Sequence, residues 1–253
     1  MRLSIVVPAY NEEAVIGPCL DAITRAVVYA GLGPDEYEIV VVNNASTDRT
    51  KEIALSHAGV RVVDEMRKGL TRAKQAGYMA TQGDILAHPD ADTLMPERWL
   101  SIVVGEFEKD PTLLAVTGPY IYYDLPPLKR LVIRFFIFCA YLSHIFNHFV
   151  LGMGAMIQGG NYAVRRSVLD AIGGYDTSIE FYGEDTDLAR RISEIGKVGW
   201  MWKLYMYSSG RRLVAEGIMT ISWRYTINYL STIFIKKPVT MNYIDIRPDK
   251  REH

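Results

Sequence analysis

In the first 118 residues, short unbroken apolar runs alternate with segments that have the periodicity of helices. The apolar runs lie at residues 3–7, 37–42, 60–63, 85–87 and 113–116. A strand that is buried on both faces has a continuous apolar sequence, and helices between such strands connect parallel neighbours. The sequence therefore predicts an α/β fold, with a doubly wound, mostly parallel sheet and helices on both of its faces.

Polar residues follow three of these predicted strands directly. Tyr10 and Glu12 follow the first strand, Asn44 follows the second, and Asp90 and Asp92 follow the run at 85–87. Ligands of open α/β sheets bind beyond the carboxyl ends of the strands. The sequence therefore predicts one shared site at this edge.

Asp90 and Asp92 lie in a turn before a predicted helix that begins near Pro96 and Trp99. Two carboxylates separated by one residue can converge on one divalent cation. Mg²⁺ and Mn²⁺ are typically held by one or two carboxylates together with substrate phosphates. The same two residues could also be solvated turn residues or a helix cap. Taken alone, the pair leaves both interpretations open.

Charge and cysteine content limit the partners and the compartment. The formal net charge is −1 at pH 7, so no overall field attracts nucleic acid, and we expect no nucleic-acid partner. Cys19 and Cys139 show neither metal-ligand spacing nor a disulfide framework, which favours a reducing compartment. The apolar run at the start is too short for a signal peptide and leads directly to Pro8. We therefore expect a cytoplasmic protein.

After residue 118 the alternation stops, and residues 128–151 form a long, mostly apolar stretch. Charged and polar interruptions argue against a transmembrane helix. On a wheel of about 100° per residue, its polar members fall within a sector of about 140°. They are Lys129, Arg130, Arg134, Tyr141, His144, Asn147 and His148. The remaining surface carries Phe135, Phe136, Phe138, Leu142, Ile145, Phe146, Phe149 and Val150.

A broad apolar face with a basic edge suits a helix that lies in a membrane interface. The alternative is that this face packs on the protein's own sheet or on a second subunit. Residues 218–238, which include Trp223, are a second candidate for the same surface. The sequence therefore leaves two interpretations open: peripheral contact with the inner face of a membrane, or packing of this face on protein.

Six ordered motifs relate the chain to a known family. They are VVPAYNEE, VVNNASTD, KGLTRAKQAG, HPDADTLMP, QGGNYAVRR and GEDTDLARR. With them the chain resembles the family 2 glycosyltransferases over residues 3–212. The resemblance implies the GT-A fold, in a domain at 1–212 that is followed by a C-terminal helix and tail at 213–253. Within that domain it implies a nucleotide-binding half at 1–118, an apolar helical insertion at 128–151 and an acceptor or catalytic half at 152–212.

The resemblance also implies roles for individual residues. Those expected to bind the donor nucleotide are Pro8, Tyr10, Glu12, Asn44, Lys74 and Asp90. Asp92, with Asp90, is expected to hold Mn²⁺ or Mg²⁺. The expected contacts of the donor sugar or the acceptor are Gly160, Asn161 and Glu184, and Asp185 matches the catalytic base. Arg211 and Arg212 are basic residues that could share the charge of the diphosphate.

The implied reaction is inverting transfer of a single sugar from a nucleotide diphosphate sugar to an acceptor hydroxyl or phosphate. The expected acceptor is a glycan or a polyprenyl-linked lipid. The chain lacks the Gln-x-x-Arg-Trp sequence of processive members, which argues against a polymerising synthase.

Two other functions remain as alternatives. A sugar nucleotidyltransferase usually carries a Gly-Gly-x-Gly-Thr-Arg loop after the first strand, where this chain has Pro8 to Asn11. An inactive nucleotide-binding or scaffold protein is suggested by Asn43 and Asn44, which replace the double aspartate that is frequent in the family. Asp185 could likewise be a simple helix N-cap.

Overall fold

The computed structural model describes residues 1–149, 156–235, 239–240 and 245. The predicted boundary at 151–152 and most of the predicted tail lie outside them. The ten strands within the described residues are β1 (Leu3–Ala9), β2 (Tyr37–Asn43), β3 (Val60–Asp64), β4 (Ile85–Pro89), β5 (Thr93–Leu94), β6 (Leu113–Thr117), β7 (Tyr120–Tyr122), β8 (Asn161–Arg165), β9 (Lys197–Trp200) and β10 (Met206–Ser208). The helices there are α1 (Ile16–Ala30), α2 (Thr50–Ser56), α3 (Leu70–Ala80), α4 (Trp99–Lys109), α5 (Pro127–Phe149), α6 (Arg166–Ile172), α7 (Glu184–Ser193), α8 (Arg211–Glu216) and α9 (Ile218–Ile235).

Seven strands form the main sheet, in the order β3-β2-β1-β4-β8-β6-β9. β8 is antiparallel to both of its neighbours, β4 and β6, and every other pairing in this sheet is parallel. The predicted α/β class with a mostly parallel sheet is therefore confirmed. The start of β8 faces the end of β4, because Pro89 pairs with Asn161.

The core lies on both faces of this sheet. Successive side chains of a strand point to opposite faces, and β1 accordingly contributes Ile5 and Val7 to one apolar cluster and Val6 to the other. The first cluster contains the buried sides of α1 and α4, and the second contains those of α3, α6 and α7. The sheet is thus covered on both sides, as its continuous apolar strands predict.

A second, three-stranded sheet has the order β5-β10-β7. It was not predicted, because its strands are only two or three residues long. This small sheet joins residues just after Asp92 to the segment before α8. It therefore brings the C-terminal part of the chain to the edge where the main strands end.

Among the described residues, no helix has both the length and the apolar character needed to cross a bilayer.

Gly77 provides a test of how closely α3 packs on β1. A Cβ at this position would overlap Val6 and lie 3.1 Å from Val42 Cγ2. Overpacking of this kind costs about 1–3 kcal/mol, so Gly77→Ala should lower the free energy of unfolding, measured by urea denaturation.

Gly105 is the matched control, because it also lies within a helix and a Cβ there would meet no atom within 4 Å. Gly105→Ala should raise the free energy of unfolding by about 0.5–1 kcal/mol through helix propensity. Equal effects of the two substitutions would contradict the packing described.

Candidate functional site

One pocket lies at the carboxyl ends of β1, β2 and β4. Its walls include Pro8, Tyr10 and Asn44 at one end and Asp90 and Asp92 in the middle. Residues of the segment before α7, of α8 and of α9 form the other end, among them Phe181, Tyr182, Arg212 and Tyr225. The shared site expected at this edge of the sheet is therefore a continuous cavity.

At the first end, an aromatic ring and a cation are stacked. The ammonium of Lys68 lies 4.0 Å from the ring centroid of Tyr10, and both residues line the pocket. A flat aromatic ring beside a basic group is suited to a planar ligand that carries phosphate.

Asn44 shapes the segment that carries Lys68. Its amide nitrogen donates to the carbonyls of Glu65 and Arg67, at 3.0 and 2.8 Å, and its side-chain carbonyl accepts the Gly69 N–H at 2.8 Å. The side chain that was expected to contact the base therefore holds the loop between β3 and α3. Its side-chain carbonyl already accepts a hydrogen bond from that loop.

Asp90 and Asp92 face different partners across the middle of the pocket. The Tyr120 hydroxyl lies 3.2 Å from Asp90 Oδ2 and donates to the Gly159 carbonyl. Asp92 Oδ2 accepts from Arg211, with Nη2 at 3.0 Å and Nε at 3.1 Å. Arg211 also pairs with the buried carboxylate of Glu12, so one guanidinium bridges two acids at this point.

The two neighbouring arginines point to different partners. Arg212 pairs with Glu216 at 2.6 Å, and its guanidinium lies 4.4 Å from the Phe181 ring centroid. Arg224 pairs with the same glutamate. Arg211 therefore contacts the acids in the middle of the pocket, whereas Arg212 belongs to its far end.

Gly159 and Gly160 run between the two groups of carboxylates. A Cβ at Gly159 would lie 2.9 Å from Glu184 Oε1 and 3.4 Å from Asp185 Oδ2. A Cβ at Gly160 would overlap the Asp90 carboxylate and the Tyr120 hydroxyl. This Gly-Gly segment therefore lets Asp90 and Asp185 approach the same part of the pocket from opposite sides.

Asp185 is held by backbone donors. Its Oδ1 accepts the Thr186 N–H at 2.8 Å, and its Oδ2 lies 3.3 Å from the Gly159 nitrogen, which donates to it. The N-cap of α7 is Gly183, so Asp185 lies within the first turn and is not the N-cap. Burial raises the pKa of Asp185, while Lys74 and these N–H donors oppose the rise.

Four predicted site residues do not line the pocket: Glu12, Lys74, Gly160 and Asn161. Lys74 is fully buried and pairs with Glu184. Glu12 is buried and pairs with Arg211. The Asn161 side chain points into the core, where it bonds to Trp99 and to three backbone carbonyls. Gly160 lies behind Asp90. Lys74, Glu12 and Gly160 thus each contact a residue that lines the pocket, namely Glu184, Arg211 and Asp90.

Sequence reasoning missed several residues that do line it. Lys68, Tyr120, Phe181, Tyr182 and Tyr225 all form parts of its walls. Lys68 is the first residue of the KGLTRAKQAG motif, so that motif could have indicated it. Tyr120 reaches the pocket from the small sheet, Phe181 and Tyr182 from the segment before α7, and Tyr225 from α9, and no local pattern indicated these positions.

The acids of the pocket fit a hard divalent cation only in part. Within the described residues, no three His, Cys, Asp or Glu side chains are grouped so that they could hold an ion. Asp90 and Asp92 supply two carboxylates beside an open cavity. That donor set matches an ion whose remaining ligands come from substrate phosphates and water.

Comparisons with known proteins identify the family and the fold. The family model described as "Glycosyl transferase family 2" matches residues 4–173. The chain is 29% identical over 206 residues to the "Probable glycosyltransferase YdaM" of Bacillus subtilis, covering 77% of this chain and 47% of that protein. It is 32% identical over 115 residues to a "Dodecaprenyl-phosphate galacturonate synthase" of Rhizobium johnstonii, covering 43% of this chain and 33% of that one.

Among solved structures, the mannosyltransferase PcManGT from Pyrobaculum calidifontis, in complex with GDP-Man and Mn²⁺, has a TM-score of 0.68. It is 24% identical and covers 93% of this chain and 63% of that one. The similarity confirms the predicted GT-A-like fold. The chain spans about half or less of the length of these curated relatives.

Gly160 tests whether the Gly-Gly segment keeps the carboxylates in place. Its φ of +75° is unfavourable for a residue with a side chain, at about 1–2 kcal/mol. Overlap with Asp90 should add about 1–3 kcal/mol to the loss of unfolding free energy in Gly160→Ala.

Gly173 isolates the first of these two costs. Its φ is +76°, and a Cβ there would meet no atom within 4 Å. Gly173→Ala should therefore show the backbone cost alone. If both variants lose the same free energy of unfolding, the close approach of Gly160 to Asp90 is not significant.

Proposed function

The chain belongs to glycosyl transferase family 2, and from that premise we propose that it is an inverting glycosyltransferase. It moves a single sugar from a nucleotide diphosphate sugar to a hydroxyl or phosphate of its acceptor. The observation that carries this proposal is the placement of Asp90 and Asp92 on one side of the Gly159–Gly160 segment and Asp185 on the other. A donor that spans this segment would have its diphosphate beside Asp90 and Asp92 and its reacting carbon near Asp185.

The first end of the pocket suits the nucleotide. Tyr10 offers an aromatic face, Lys68 brings a cation to that face, and Pro8 lies beside them. Asn44 contributes by holding the loop that carries Lys68. The base is thus bound by stacking and by the shape of the loop in this proposal.

Asp92 and Asp90 would hold Mn²⁺ or Mg²⁺ in the middle of the pocket. When bound, such an ion neutralises the negative charge that develops on the leaving diphosphate. Asp92 pairs with Arg211 in the structure, so this carboxylate already lies beside a positive charge. Arg211 is thereby also within reach of a diphosphate at the same position.

Asp185 would take the proton from the acceptor hydroxyl. A carboxylate that removes this proton on the face opposite the leaving group promotes direct displacement, which inverts the anomeric carbon. The raised pKa of Asp185, caused by burial, brings the group closer to neutral pH, where a general base is most effective.

The far end of the pocket suits an acceptor that is amphiphilic. Arg212 supplies a cation there, and Phe181 and Tyr225 supply aromatic surface. α9 lines the pocket with Ile221 and Tyr225, and on its outer side it exposes Met219 and Trp223. A relative whose name specifies a dodecaprenyl-phosphate product is consistent with a lipid-linked acceptor.

The outer face of α5 is the proposed contact with a membrane. Its exposed large apolar residues lie on one side of the helix and form one stripe, here called the α5 stripe: Leu128, Leu131, Val132, Phe135, Phe138 and Leu142. Lys129 and Arg134 are exposed on its two flanks. An apolar stripe with basic edges fits an interface that contains anionic lipid.

The opposite face of α5 packs on the protein, which corrects the predicted wheel in one respect. Tyr141, placed in the polar sector, lies against Trp200 and Trp202, with ring centroids at 5.9 and 5.2 Å. Ile133 on the same face is buried. The predicted contributions of the side chains at 144 and 146–150 lie outside the described residues. Within the described residues the packed face is thus the one that carries Tyr141, and the α5 stripe stays exposed.

The function is tested by two variants that separate binding from chemistry. Asp92→Asn should abolish the stabilisation that UDP- or GDP-sugars give in the presence of Mn²⁺, measured as a thermal shift. Asp185→Asn should keep that stabilisation but lower turnover by roughly 10²- to 10⁴-fold, the usual range for loss of a general base. Donor hydrolysis, assayed with several nucleotide sugars, reports the turnover.

The opposite results would contradict the roles proposed for Asp92 and Asp185. Unchanged Mn²⁺-dependent stabilisation in Asp92→Asn would exclude it as a ligand, and loss of donor binding in Asp185→Asn would make that residue a donor contact. Absence of hydrolysis with every nucleotide sugar, despite binding, would favour the inactive alternative.

Membrane contact is tested by flotation with lipid vesicles. Phe135→Ser with Phe138→Ser should weaken binding to all vesicles, because apolar area is lost. Lys129→Gln with Arg134→Gln should weaken binding by roughly 30-fold to anionic vesicles only, at about 1 kcal/mol for each basic residue. High salt should have the same selective effect.

The matched control is Val28→Ser with Tyr29→Ser, which removes comparably exposed apolar groups from α1. This control should float like the wild type. If the wild type does not float, or if the control is equally impaired, the α5 stripe does not dock on a membrane.

A further inference from the structure

A buried ion pair lies behind the proposed catalytic end of the pocket. Lys74 Nζ, on α3, is 2.7 Å from Glu184 Oε1 at the first position of α7. The Lys74 side chain is 0% exposed and that of Glu184 is 5% exposed. The two residues are 110 positions apart in the sequence, so their pairing ties together two distant helices.

Lys74 cannot serve a phosphate directly. Its ammonium is enclosed by protein, lies 5.2 Å from the Tyr162 ring centroid and does not line the pocket. Glu184 and Asp185 do line it. Whatever Lys74 contributes to the reaction must therefore pass through these acids.

We propose that Lys74 is a positioning residue for the transfer reaction, which acts through Glu184 to fix the first turn of α7 and so aim the Asp185 carboxylate at Gly159. This inference rests on the role proposed above for Asp185 as the base.

The first turn of α7 has few other side-chain restraints at this end. Its N-cap, Gly183, provides no side-chain hydrogen bond. Asp187 is bound to Arg190 and Arg191 on its own helix. Glu184 Oε2 accepts no hydrogen bond from any described residue. The ion pair to Lys74 is therefore the side-chain contact by which Glu184 fastens this turn to α3.

The charge of Lys74 also acts on Asp185. The groups that face Asp185 are Lys74 from α3, Glu184 and Thr186 on the same helix, the Gly159 N–H, and Tyr225 from α9. Burial raises the pKa of Asp185, and Lys74 opposes this rise more than any hydrogen bond does. Loss of Lys74 should therefore raise the pKa of the base and move the acid limb of the activity profile to higher pH.

Removing Lys74 alone would leave a buried carboxylate without its partner, which can prevent folding. The test therefore replaces the whole pair by apolar groups, as Lys74→Met with Glu184→Leu, since such exchanges are often neutral for stability. Lys74→Arg, which keeps the charge, is the conservative variant. Asp187→Asn is the matched control, because it breaks ion pairs of a similarly buried acid on the same helix.

In the double variant, kcat for donor hydrolysis should fall by up to about 100-fold, the cost of misplacing a reacting group by about 1 Å. Its KM for the donor should stay near the wild-type value. Because the exchange removes one positive and one negative charge beside Asp185, kcat and not the acid limb is the readout for this variant. Lys74→Arg should retain the wild-type position of the acid limb, and Asp187→Asn should retain both kcat and the acid limb.

The inference is overturned if the double variant keeps the wild-type kcat, or if only its KM changes. Should the double variant fail to fold, a shift of the acid limb in Lys74→Arg, which keeps the charge, would overturn it equally. If Asp185→Asn itself keeps its turnover, the proposed function fails first. Loss of turnover in Asp185→Asn but not in the double variant would reject this inference alone.

Discussion

The side chain of Asn161 is the contact on which the architecture of the pocket depends. It is fully buried at the start of β8, and its carbonyl accepts the indole N–H of Trp99 at 2.9 Å. Its amide nitrogen donates to the carbonyls of Gly118, Pro119 and Leu204. One carboxamide thus fastens α4 and the segments before β7 and β10 to the antiparallel strand. Since an unsatisfied buried amide is costly, these segments are fixed together.

The antiparallel direction of β8 determines which residues lie beside Asp90. An antiparallel strand inserted between β4 and β6 begins where its parallel neighbours end. The residues just before it, Gly159 and Gly160, are therefore delivered to the carboxyl edge, beside Asp90. A parallel strand at the same place would have brought its last residues there. The direction of a single strand thus decides which segment separates the two groups of acids.

The main sheet could be predicted because its signals are local. Strands such as β1 and β2 are buried along most of their length, so their apolar runs are continuous in the sequence. The small sheet has strands too short to show alternation. Its existence depends on pairings between distant segments, such as Tyr207 with Leu94.

The same distinction applies to the site. Asp90, Asp92 and Asp185 line the pocket because their places at a strand end and in a first helical turn are set locally. Lys74 and Glu12 have partners 110 and 199 positions away, which no periodicity can indicate. A motif therefore identified residues of the site but not which of them lie behind its surface.

Arg211 changes the charge that the pocket presents to an incoming ligand. Its guanidinium is 31% exposed and shared between Asp92 and Glu12, and it begins α8, a helix with no buried residue. The two acids therefore do not present a bare negative charge to an incoming anion. One guanidinium between two carboxylates halves their net negative charge, so the long-range repulsion that would slow the entry of a phosphate is reduced.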